Sequence, residues 1–443
     1  MQYRSLVIDK RIAQLSDCVR LRKEYFGGIV FNADTGDILE VDHEAFNLLE
    51  RFRAAETVDI NSLLKQEGLR SIITTLIDMN IIVLLPEKAP GISLYPFPIN
   101  AIDISQNLDI KDSQILSAPE TVHLAVTYRC DESCPDCYSR EFSSITSPEI
   151  DTLKMYEVID KIADGDVFQL AIGGGEPFMR SDLSDIAARA ARKGLVTHIT
   201  TGQYTLKPQW DDVLKYIKSL HVGIRTEDLL NNAEERSTKL KKLVELVTQA
   251  NVSIGANLII TRFMIRYIDK LVELLLKCGF KRLIFLRYKP IANRDRWSGE
   301  NPSGMELKDF GNFLTYSKSC YPGIMIRVDC AAAFLMRNLD PPTAKYAGIG
   351  GCSAGNRIVS VAPDGSLFPC SQLVGREYYA GNLLSDSFKN IWYGSEVLDK
   401  YRFFRQSALF SGSVCGGCVF GAFCGGCRVY ASDKTGIEPF CPM

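Results

Sequence analysis

The chain has 443 residues, of which 46% are hydrophobic and 23% are charged, so it can bury the cores of two or three domains. Its 51 basic and 53 acidic side chains give a net charge of −2, which argues against nucleic acid as a partner. The longest apolar run, Cys330–Met336, is far too short for a membrane span, and the first residues lack a signal-peptide core, so we expect a cytoplasmic protein with no membrane partner.

Residues 1–95 are predicted to form a winged-helix-like α+β domain. Sequence periodicity places its strands at Cys18–Glu24, Gly28–Asn32, Asp37–Asp42 and Ile81–Leu85, and its helices at Glu44–Phe52, Ile60–Gln66 and Arg70–Met79. The tripeptide Asp34-Thr35-Gly36 is typical of a hairpin turn. Winged helices often bind DNA, but the balanced charge favours a packing or peptide-binding module.

Residues 96–118 are predicted to be a linker, and from 119 to 312 strands alternate with amphipathic helices. The strands are expected at His123–Tyr128, Gln169–Gly173, Thr197–Thr201, His221–Arg225, Val252–Ile260 and Arg282–Tyr288. Six βα repeats predict a parallel sheet, either doubly wound or curled, and we favour a partial (β/α)6 barrel. In both arrangements the active site is expected at the carboxyl ends of the strands. Cys130 lies there, because it closely follows the end of the first strand.

Residues 313–351 are predicted to bridge the barrel to a tail, 352–443, that is rich in cysteine and glycine. A hairpin with a turn at Asp364-Gly365 is expected near its start. The later glycines would let the backbone wrap closely around an inorganic cluster.

Fourteen cysteines are the unusual feature of the composition. Disulfides are unexpected in a long chain without a signal peptide, and buried structural thiols are the favoured interpretation for Cys18, Cys278 and Cys320. The other eleven are grouped, at spacings that gather thiolates around zinc or an iron–sulfur cluster: Cys130, Cys134 and Cys137, then Cys330, Cys352 and Cys370, then Cys415, Cys418, Cys424, Cys427 and Cys441. The four histidines are scattered, which argues against a His-rich metal site.

The three cysteines after the first strand form C-x3-C-x2-C, an odd number for a zinc site, which needs four ligands. A cubane held by three thiolates instead keeps one iron open. The second strand ends in Gly173-Gly174-Gly175-Glu176, which would expose backbone groups to a closely approaching ligand, although a tight turn alone would also explain it.

On these residues the sequence resembles the radical S-adenosylmethionine (SAM) enzymes with a SPASM extension. The resemblance implies that Cys130, Cys134 and Cys137 hold a 4Fe–4S cluster whose open iron chelates SAM, and that Gly173, Gly174, Gly175 and Glu176 hold the methionine end of SAM. Tyr138, Thr200, Asn257 and Arg287 are further candidates for SAM contacts. Where the family has an aromatic residue before the third cysteine, this chain has Asp136.

The tail resembles the SPASM pattern, which implies two auxiliary 4Fe–4S clusters. One would take Cys352, Cys370 and Cys427, with Cys330 as the candidate fourth ligand; the other would take Cys415, Cys418, Cys424 and Cys441. Two residues separate Cys424 from Cys427, whereas the family usually has three. If Cys330 is instead a buried thiol, the open iron could accept a substrate thiolate.

The amino-terminal domain resembles the leader-recognition element of ribosomally made peptide pathways. The resemblance carries over to Val19–Asn32 and Val41–Leu49 and implies that a leader adds along Asp37–Asp42 beside the helix Arg70–Met79. A peptide maturase is therefore expected, which uses a 5′-deoxyadenosyl radical to form a C–S or C–C crosslink and takes electrons from a flavodoxin or ferredoxin. Glu227, Asp228 and Tyr288 are candidate general bases.

Three alternatives stay open from the sequence. A sulfatase-type (formylglycine) maturase or another SPASM oxidoreductase would share the clusters, although the amino-terminal domain argues against a sulfatase-type enzyme. A zinc-ribbon binding protein is the alternative without catalysis.

Overall fold

The computed structural model describes residues 12–54, 58–85, 114–131, 134–140, 142–144, 146, 148–205, 209–291, 294–338, 351–422, 424–431 and 441. The chain divides into two compact units, Met1–Ser117 and Ala118–Met443, which are treated separately below. Most of the predicted linker, 96–113, lies outside the described residues.

The first unit contains two small antiparallel sheets and three helices. Its strands are β1 (Ile12–Leu15), β2 (Val19–Glu24), β3 (Gly27–Asn32), β4 (Ile38–Asp42), β5 (Val58–Asp59) and β6 (Ile82–Leu85), and its helices are α1 (His43–Ala54), α2 (Asn61–Leu64) and α3 (Glu67–Asp78). The strand orders are β2-β3-β4 and β5-β1-β6. The α+β class is as predicted, but β1 and β5 were not foreseen.

Helix α1 covers the first sheet because apolar residues recur along one of its faces. Phe46, Leu49 and Phe52 are buried on it, and a Cβ atom at Gly28 of β3 would lie only 2.0 Å from the Phe46 ring. Glycine at that position therefore allows the helix to approach the sheet. Strand β4 forms the opposite margin of this sheet from β2.

A buried ion pair anchors β2 of the first unit. The side chains of Arg22 and Glu24 are 0% and 1% exposed, and the Arg22 Nε lies 2.7 Å from the Glu24 carboxylate. The same carboxylate accepts hydrogen bonds from the backbone N–H of Ser117 at 2.8 Å and from its hydroxyl at 3.0 Å. Glu24 thus ties the end of the unit's chain to its first sheet.

The second unit is built on a ten-stranded sheet with helices between consecutive strands. Its strands are β7 (Thr121–Thr127), β8 (Gln169–Gly174), β9 (Val196–Thr201), β10 (Ser219–Ile224), β11 (Ser253–Ile260), β12 (Arg282–Arg287), β13 (Met325–Val328), β14 (Ile358–Val361), β15 (Ser366–Phe368) and β16 (Gly381–Asn382). Its helices are α4 (Thr152–Ala163), α5 (Leu183–Arg192), α6 (Gln209–Leu214), α7 (Thr226–Asn231), α8 (Ala233–Gln249), α9 (Arg262–Arg266), α10 (Ile268–Lys277), α11 (Arg294–Glu300), α12 (Gly304–Cys320), α13 (Phe388–Gly394), α14 (Glu396–Arg402), α15 (Ala408–Ser411) and α16 (Val414–Gly417).

The strand order is β13-β12-β11-β10-β9-β8-β7-β14-β15-β16. Strands β7 to β13 are parallel and lie beside one another in chain order, which is the winding of a barrel; a doubly wound sheet reverses its order at a switch point. The partial barrel predicted from the sequence is therefore confirmed. It gains β13 at one end, a strand that the sequence did not predict.

The predicted tail hairpin extends the other end of the same sheet. Strand β14 pairs in parallel with β7 and antiparallel with β15, and Gly365 adopts φ +84° in the turn between β14 and β15. The cysteine-bearing tail is thereby fixed against the strand that precedes Cys130. Among the described residues, no helix combines the length and the apolar character that crossing a bilayer requires.

The Arg22–Glu24 pair generates a stability prediction. Replacing Glu24 with Ala should destabilise the first unit by about 3–5 kcal/mol, because it removes the carboxylate of a buried pair and the acceptor of two further hydrogen bonds. Hydrogen exchange of the β2 and β3 amides in the full chain measures this loss. Replacing the exposed Glu44 with Ala is the control. Equal amide protection in the two variants would contradict a stabilising role of the Arg22–Glu24 pair.

Candidate active site at the strand ends

The carboxyl ends of β8 and β9 are joined by one buried carboxylate. Glu176 is 1% exposed, and it accepts hydrogen bonds from the hydroxyl of Thr201 at 2.9 Å, from the N–H of Gly202 at 3.0 Å and from the N–H of Phe178 at 3.1 Å. Burial raises the pKa of the Glu176 carboxyl, and these hydrogen bonds partly offset the rise. Three protein donors thus converge on the carboxylate, which holds the glycine-rich turn in place.

The three glycines before Glu176 differ in what surrounds them. A Cβ atom added to Gly174 would lie 2.3 Å from the Thr127 carbonyl oxygen, and one added to Gly175 would lie 2.2 Å from the Arg129 carbonyl oxygen. The turn therefore approaches the end of β7 and the loop after it so closely that both positions require glycine. At Gly173 nothing lies within 4 Å of that position. Gly173 therefore faces open space, where a ligand can approach the backbone.

The cysteine loop after β7 is fastened to the neighbouring strand ends. Ser139 donates a hydrogen bond of 2.9 Å to the Gly174 carbonyl, and its hydroxyl lies 3.4 Å from the Cys137 Sγ. Gln203, just after β9, donates to the Asp131 carboxylate at 3.0 Å. These contacts bring the loop and the glycine-rich turn to one end of the barrel.

A basic side chain also reaches this loop. The Arg225 guanidinium, which follows β10, lies 3.8 Å from the Cys134 Sγ and 2.5 Å from the Asp228 carboxylate. A cation beside a thiolate cluster offsets part of the negative charge that the ligands bring. Cys130 is exposed, and Cys134 and Cys137 are partly so, as a site open to an incoming ligand requires.

A buried oxygen at the strand ends, the Gln203 Oε1 after β9, lacks a hydrogen-bond partner among the described residues. An unsatisfied buried acceptor is costly, and a ligand with hydroxyl, amine or amide donors would satisfy it. Together with the open space at Gly173, this oxygen makes the end of the barrel fit SAM, whose amino group and ribose hydroxyls are such donors. Asn257, the candidate SAM contact on β11, instead shares a side-chain hydrogen bond with His221.

The remaining candidate SAM contacts lie in differing surroundings. Thr200 is exposed on β9, next to the buried Thr201. The Arg287 guanidinium donates to the Ala331 carbonyl at 3.1 Å and lies 3.7 Å from the centroid of the Tyr430 ring, so it packs within the core of the second unit. Tyr138 packs edge-to-face with Phe142 at 6.0 Å.

Four cysteines from separate parts of the second unit influence one another's ionisation. Burial raises the pKa of Cys330, Cys370 and Cys427 to about 12. The negative charge of Cys330 contributes to the rise at Cys370 and Cys427, and that of Cys352 contributes to the rise at Cys330 and Cys370. The pKa of Cys352 is raised by burial and then by Cys427. The structure thus brings these four thiols together, although 96 residues separate the first from the last.

A buried cation accompanies this set. The Lys289 ammonium lies 2.5 Å from the Asp329 carboxylate, and it lowers the pKa of Cys330, Cys370 and Cys427, against the larger effect of burial. Burial opposes its charge, but Asp329 and the thiols keep the pKa of Lys289 above its usual value. Neither Lys289 nor Asp329 was found from the sequence, since nothing in their local pattern marks them.

The second tail set is arranged around Cys424. Burial raises the pKa of the Cys424 thiol, and the negative charges of Cys441 and Cys415 contribute to the rise. Cys415 and Cys418 lie at the two ends of a tight turn, with the Cys418 N–H donating to the Cys415 carbonyl at 3.3 Å. All four predicted ligands of this set are partly accessible.

Among the residues that the structure describes, no three His, Cys, Asp or Glu side chains are drawn close enough to hold a single metal ion.

The candidate general bases are found in two kinds of environment. Asp228 pairs with Arg225 at 2.5 Å and lies 3.9 Å from Arg236, while Glu227 pairs with Arg296 at 3.7 Å. Tyr288 is buried, and burial raises the pKa of its phenol. The raised pKa keeps the Tyr288 phenol protonated, so Tyr288 is a poor base in this environment.

Comparisons with known proteins agree with this geometry. The family model of the Radical SAM superfamily matches residues 124–260, and that of the SPASM iron–sulfur cluster-binding domain matches residues 352–419. The chain therefore contains a radical SAM domain, which binds SAM and a 4Fe–4S cluster, and a SPASM domain, which binds auxiliary iron–sulfur clusters.

Individual proteins and a solved structure are also similar to this chain. The chain is similar to an AdoMet-dependent heme synthase of Methanosarcina barkeri (26% identity over 73% of this chain and 97% of the relative) and to the mycofactocin maturase MftC of Mycolicibacterium smegmatis (25% identity over 73% and 81%). The solved structure of Streptococcus suis SuiB bound to its precursor peptide SuiA has the same fold over 97% of this chain and 100% of that one, at a TM-score of 0.69 and 18% identity.

The buried Glu176 carboxylate generates a prediction for SAM binding. Glu176→Ala should lower SAM affinity about tenfold or more, because three donors lose their acceptor and the glycine-rich turn loosens. Calorimetric titration of the cluster-loaded protein with SAM measures the change. The partly exposed Glu157→Ala on α4 is the control, and unchanged affinity in Glu176→Ala would contradict the clamping role.

Proposed function

We propose that this protein is a maturase of a ribosomally made precursor peptide. The observation that carries the proposal is one chain with a radical SAM barrel, a SPASM tail and an amino-terminal α+β unit of the kind expected to capture a leader. The heme synthase and MftC align with only 73% of the chain, whereas the SuiB fold covers 97%, so the likeness to a protein bound to its precursor peptide includes the first unit.

The domain assignment follows the same division. Residues 1–95 are assigned to leader recognition, 96–118 to the linker, 119–312 to the barrel, 313–351 to a bridging region and 352–443 to the auxiliary-cluster domain. The boundary between the compact units, at Ser117 and Ala118, supports the start of the barrel.

The cysteine sets are assigned to three clusters. Cys130, Cys134 and Cys137 hold the SAM-binding 4Fe–4S cluster; Cys330, Cys352, Cys370 and Cys427 hold one auxiliary cluster; and Cys415, Cys418, Cys424 and Cys441 hold the other. The mutual electrostatic influence of the four thiols supports Cys330 as the fourth ligand of its set. When bound, SAM and its reduced cluster supply the 5′-deoxyadenosyl radical that removes a carbon-bound hydrogen from the peptide.

The protein's own residues position the reactants around this chemistry. Glu176 and Ser139 fix the glycine-rich turn against the cysteine loop, and the buried Gln203 oxygen would accept a donor from SAM. Lys289 holds a positive charge beside the first auxiliary set, whose cluster would supply an acceptor for the electron left by C–S or C–C bond formation. A flavodoxin or ferredoxin is the proposed external donor of the electron that starts the cycle.

Strand β4 is the proposed leader-binding edge. Ile38, Leu39 and Val41 are partly exposed on it, and it pairs with β3 on one side at the end of the strand order. A leader could therefore extend the sheet by main-chain hydrogen bonds and insert alternate side chains against these apolar groups. The exposed Met79, just after α3, adds apolar surface in the same unit.

The experiment that tests the proposal uses the cluster-loaded protein, SAM, a reductant and the precursor peptide encoded beside the gene. We expect 5′-deoxyadenosine and a peptide lighter by two hydrogen atoms, since crosslinking removes one hydrogen from each bonded atom. A product bearing an aldehyde in place of a Cys or Ser side chain would instead indicate a sulfatase-type maturase. Zinc without iron in the anaerobically purified protein would indicate a binding protein.

Cys330 provides a prediction about cluster content. Cys330→Ala should lower bound iron from about twelve to about eight atoms per chain, or leave one cluster labile, because its set would keep three thiolates. Iron analysis and Mössbauer spectra measure the loss. Cys278→Ala, a buried thiol outside the three sets, should leave all three clusters; equal iron in the two variants would refute the ligand role.

The leader edge provides a prediction about binding. Ile38→Asp should weaken leader affinity about tenfold, because it puts a charge where an added strand would bury apolar surface. Fluorescence anisotropy with a labelled leader peptide measures affinity, and SAM affinity checks the second unit. The exposed Lys23→Asp on β2, at the other margin of the sheet, is the matched control; an equal effect of both charges would argue against β4.

A further inference from the structure

A cavity of 720 Å³ lies in the second unit, within the range of about 300–1,000 Å³ that ligand pockets occupy. Its wall includes four aromatic side chains: Phe142, Trp297, Tyr378 and Tyr430. Aromatic residues this dense around a concavity supply a large apolar contact area for a flat guest.

The polar edges of two wall residues are turned away from a guest. The Trp297 indole N–H donates to the Tyr288 carbonyl at 3.0 Å, and the Tyr430 hydroxyl donates to the same carbonyl. Because one backbone oxygen accepts both donors, the two rings are fixed in orientation, with their centroids 6.1 Å apart. Their carbon surfaces form that part of the wall.

The charges around the cavity favour a neutral guest over a cationic one. The Arg287 guanidinium already lies 3.7 Å from the centroid of the Tyr430 ring, so a second cation there would meet repulsion. No basic side chain is among the described residues that line the cavity, and Asp295, which is exposed, is the acidic one. An anion would face Asp295, and a neutral ring can offer its N–H or O–H to that carboxylate.

The cavity lies beside the cysteine sets. Leu373 packs with Cys352 and Cys370, Val429 and Tyr430 pack near Cys427, and all three line the cavity. On the other side, Phe142 contacts Tyr138, the residue after Cys137, at 6.0 Å between ring centroids. A guest would therefore lie between the SAM-binding loop and the first auxiliary set.

We propose that this cavity holds an aromatic side chain of the core peptide, and so positions the neighbouring peptide residue for hydrogen abstraction. The inference rests on the proposed function and deepens it by naming the substrate class: a precursor whose core carries a Trp, Tyr or Phe at or next to the modified position. Trp297 is the positioning residue of this site.

The test combines enzyme variants with peptide variants. Each aromatic residue of the precursor core is replaced in turn by Ala, and crosslinked product and leader affinity are measured with wild-type and Trp297→Ala enzyme. One position should lose about tenfold or more product with the wild type at unchanged leader affinity, and Trp297→Ala should cause a similar loss with the native peptide. Combining the two changes should add little, because both remove the same contact.

Controls separate binding from folding. Val429→Trp, which fills the cavity instead of enlarging it, should cause the same loss, whereas Tyr393→Ala removes an exposed aromatic side chain elsewhere and should cause none. Additive losses, sensitivity only at a core Lys or Arg, or full turnover by Val429→Trp would overturn the inference. Failure of the wild type to modify any precursor would overturn the proposed function instead, so the two failures are distinguishable.

Discussion

The site depends on the hydrogen bonds that the buried Glu176 carboxylate accepts. Three donors from the ends of β8 and β9 converge on it, and burial of a charged group is tolerable only when its hydrogen bonds are made. The glycine-rich turn is thereby pressed against the chain that follows β7, where Gly174 and Gly175 leave no room for a side chain. The cysteine loop, held through Ser139 and Gln203, takes its position from that turn.

The interior of the barrel shows how parallel register assembles polar groups that are distant in the chain. His198 bonds to Ser219 at 2.7 Å and to Gln169 at 3.0 Å, and Ser219 bonds to His221 at 3.0 Å. Burial lowers the pKa of His198 to about 3 and of His221 to about 4, so both rings are neutral at physiological pH. The network is thus an uncharged support beneath the strand ends. Histidines that looked scattered in the sequence are neighbours because β9 and β10 pair.

Much of this arrangement follows from local sequence. Period-two strands and amphipathic helices predict the parallel βα repeats, and cysteine spacing predicts that the thiols are grouped; which thiols share a cluster is implied only by the family resemblance. The strands that were missed, β1, β5, β13 and β16, are short, and distant strands rather than local pattern determine their pairing. The same limit applies to Gln203, Asp131 and Lys289, whose roles arise from contacts across the fold. Gln203 had a weak signal, since it lies two residues beyond a predicted strand end.

The Lys289–Asp329 pair connects metal loading to the stability of the tail. A buried ion pair gains little by itself, because desolvation offsets the attraction between its charges. Metal binding changes this balance, since thiols whose pKa burial raises to about 12 must release their protons to become ligands. Lys289 acts on three of these thiols, so in the proposed cluster-loaded protein its ammonium would offset part of the negative charge of Cys330, Cys370 and Cys427. Asp329 keeps Lys289 charged, and the pair would therefore contribute most once these thiols have lost their protons.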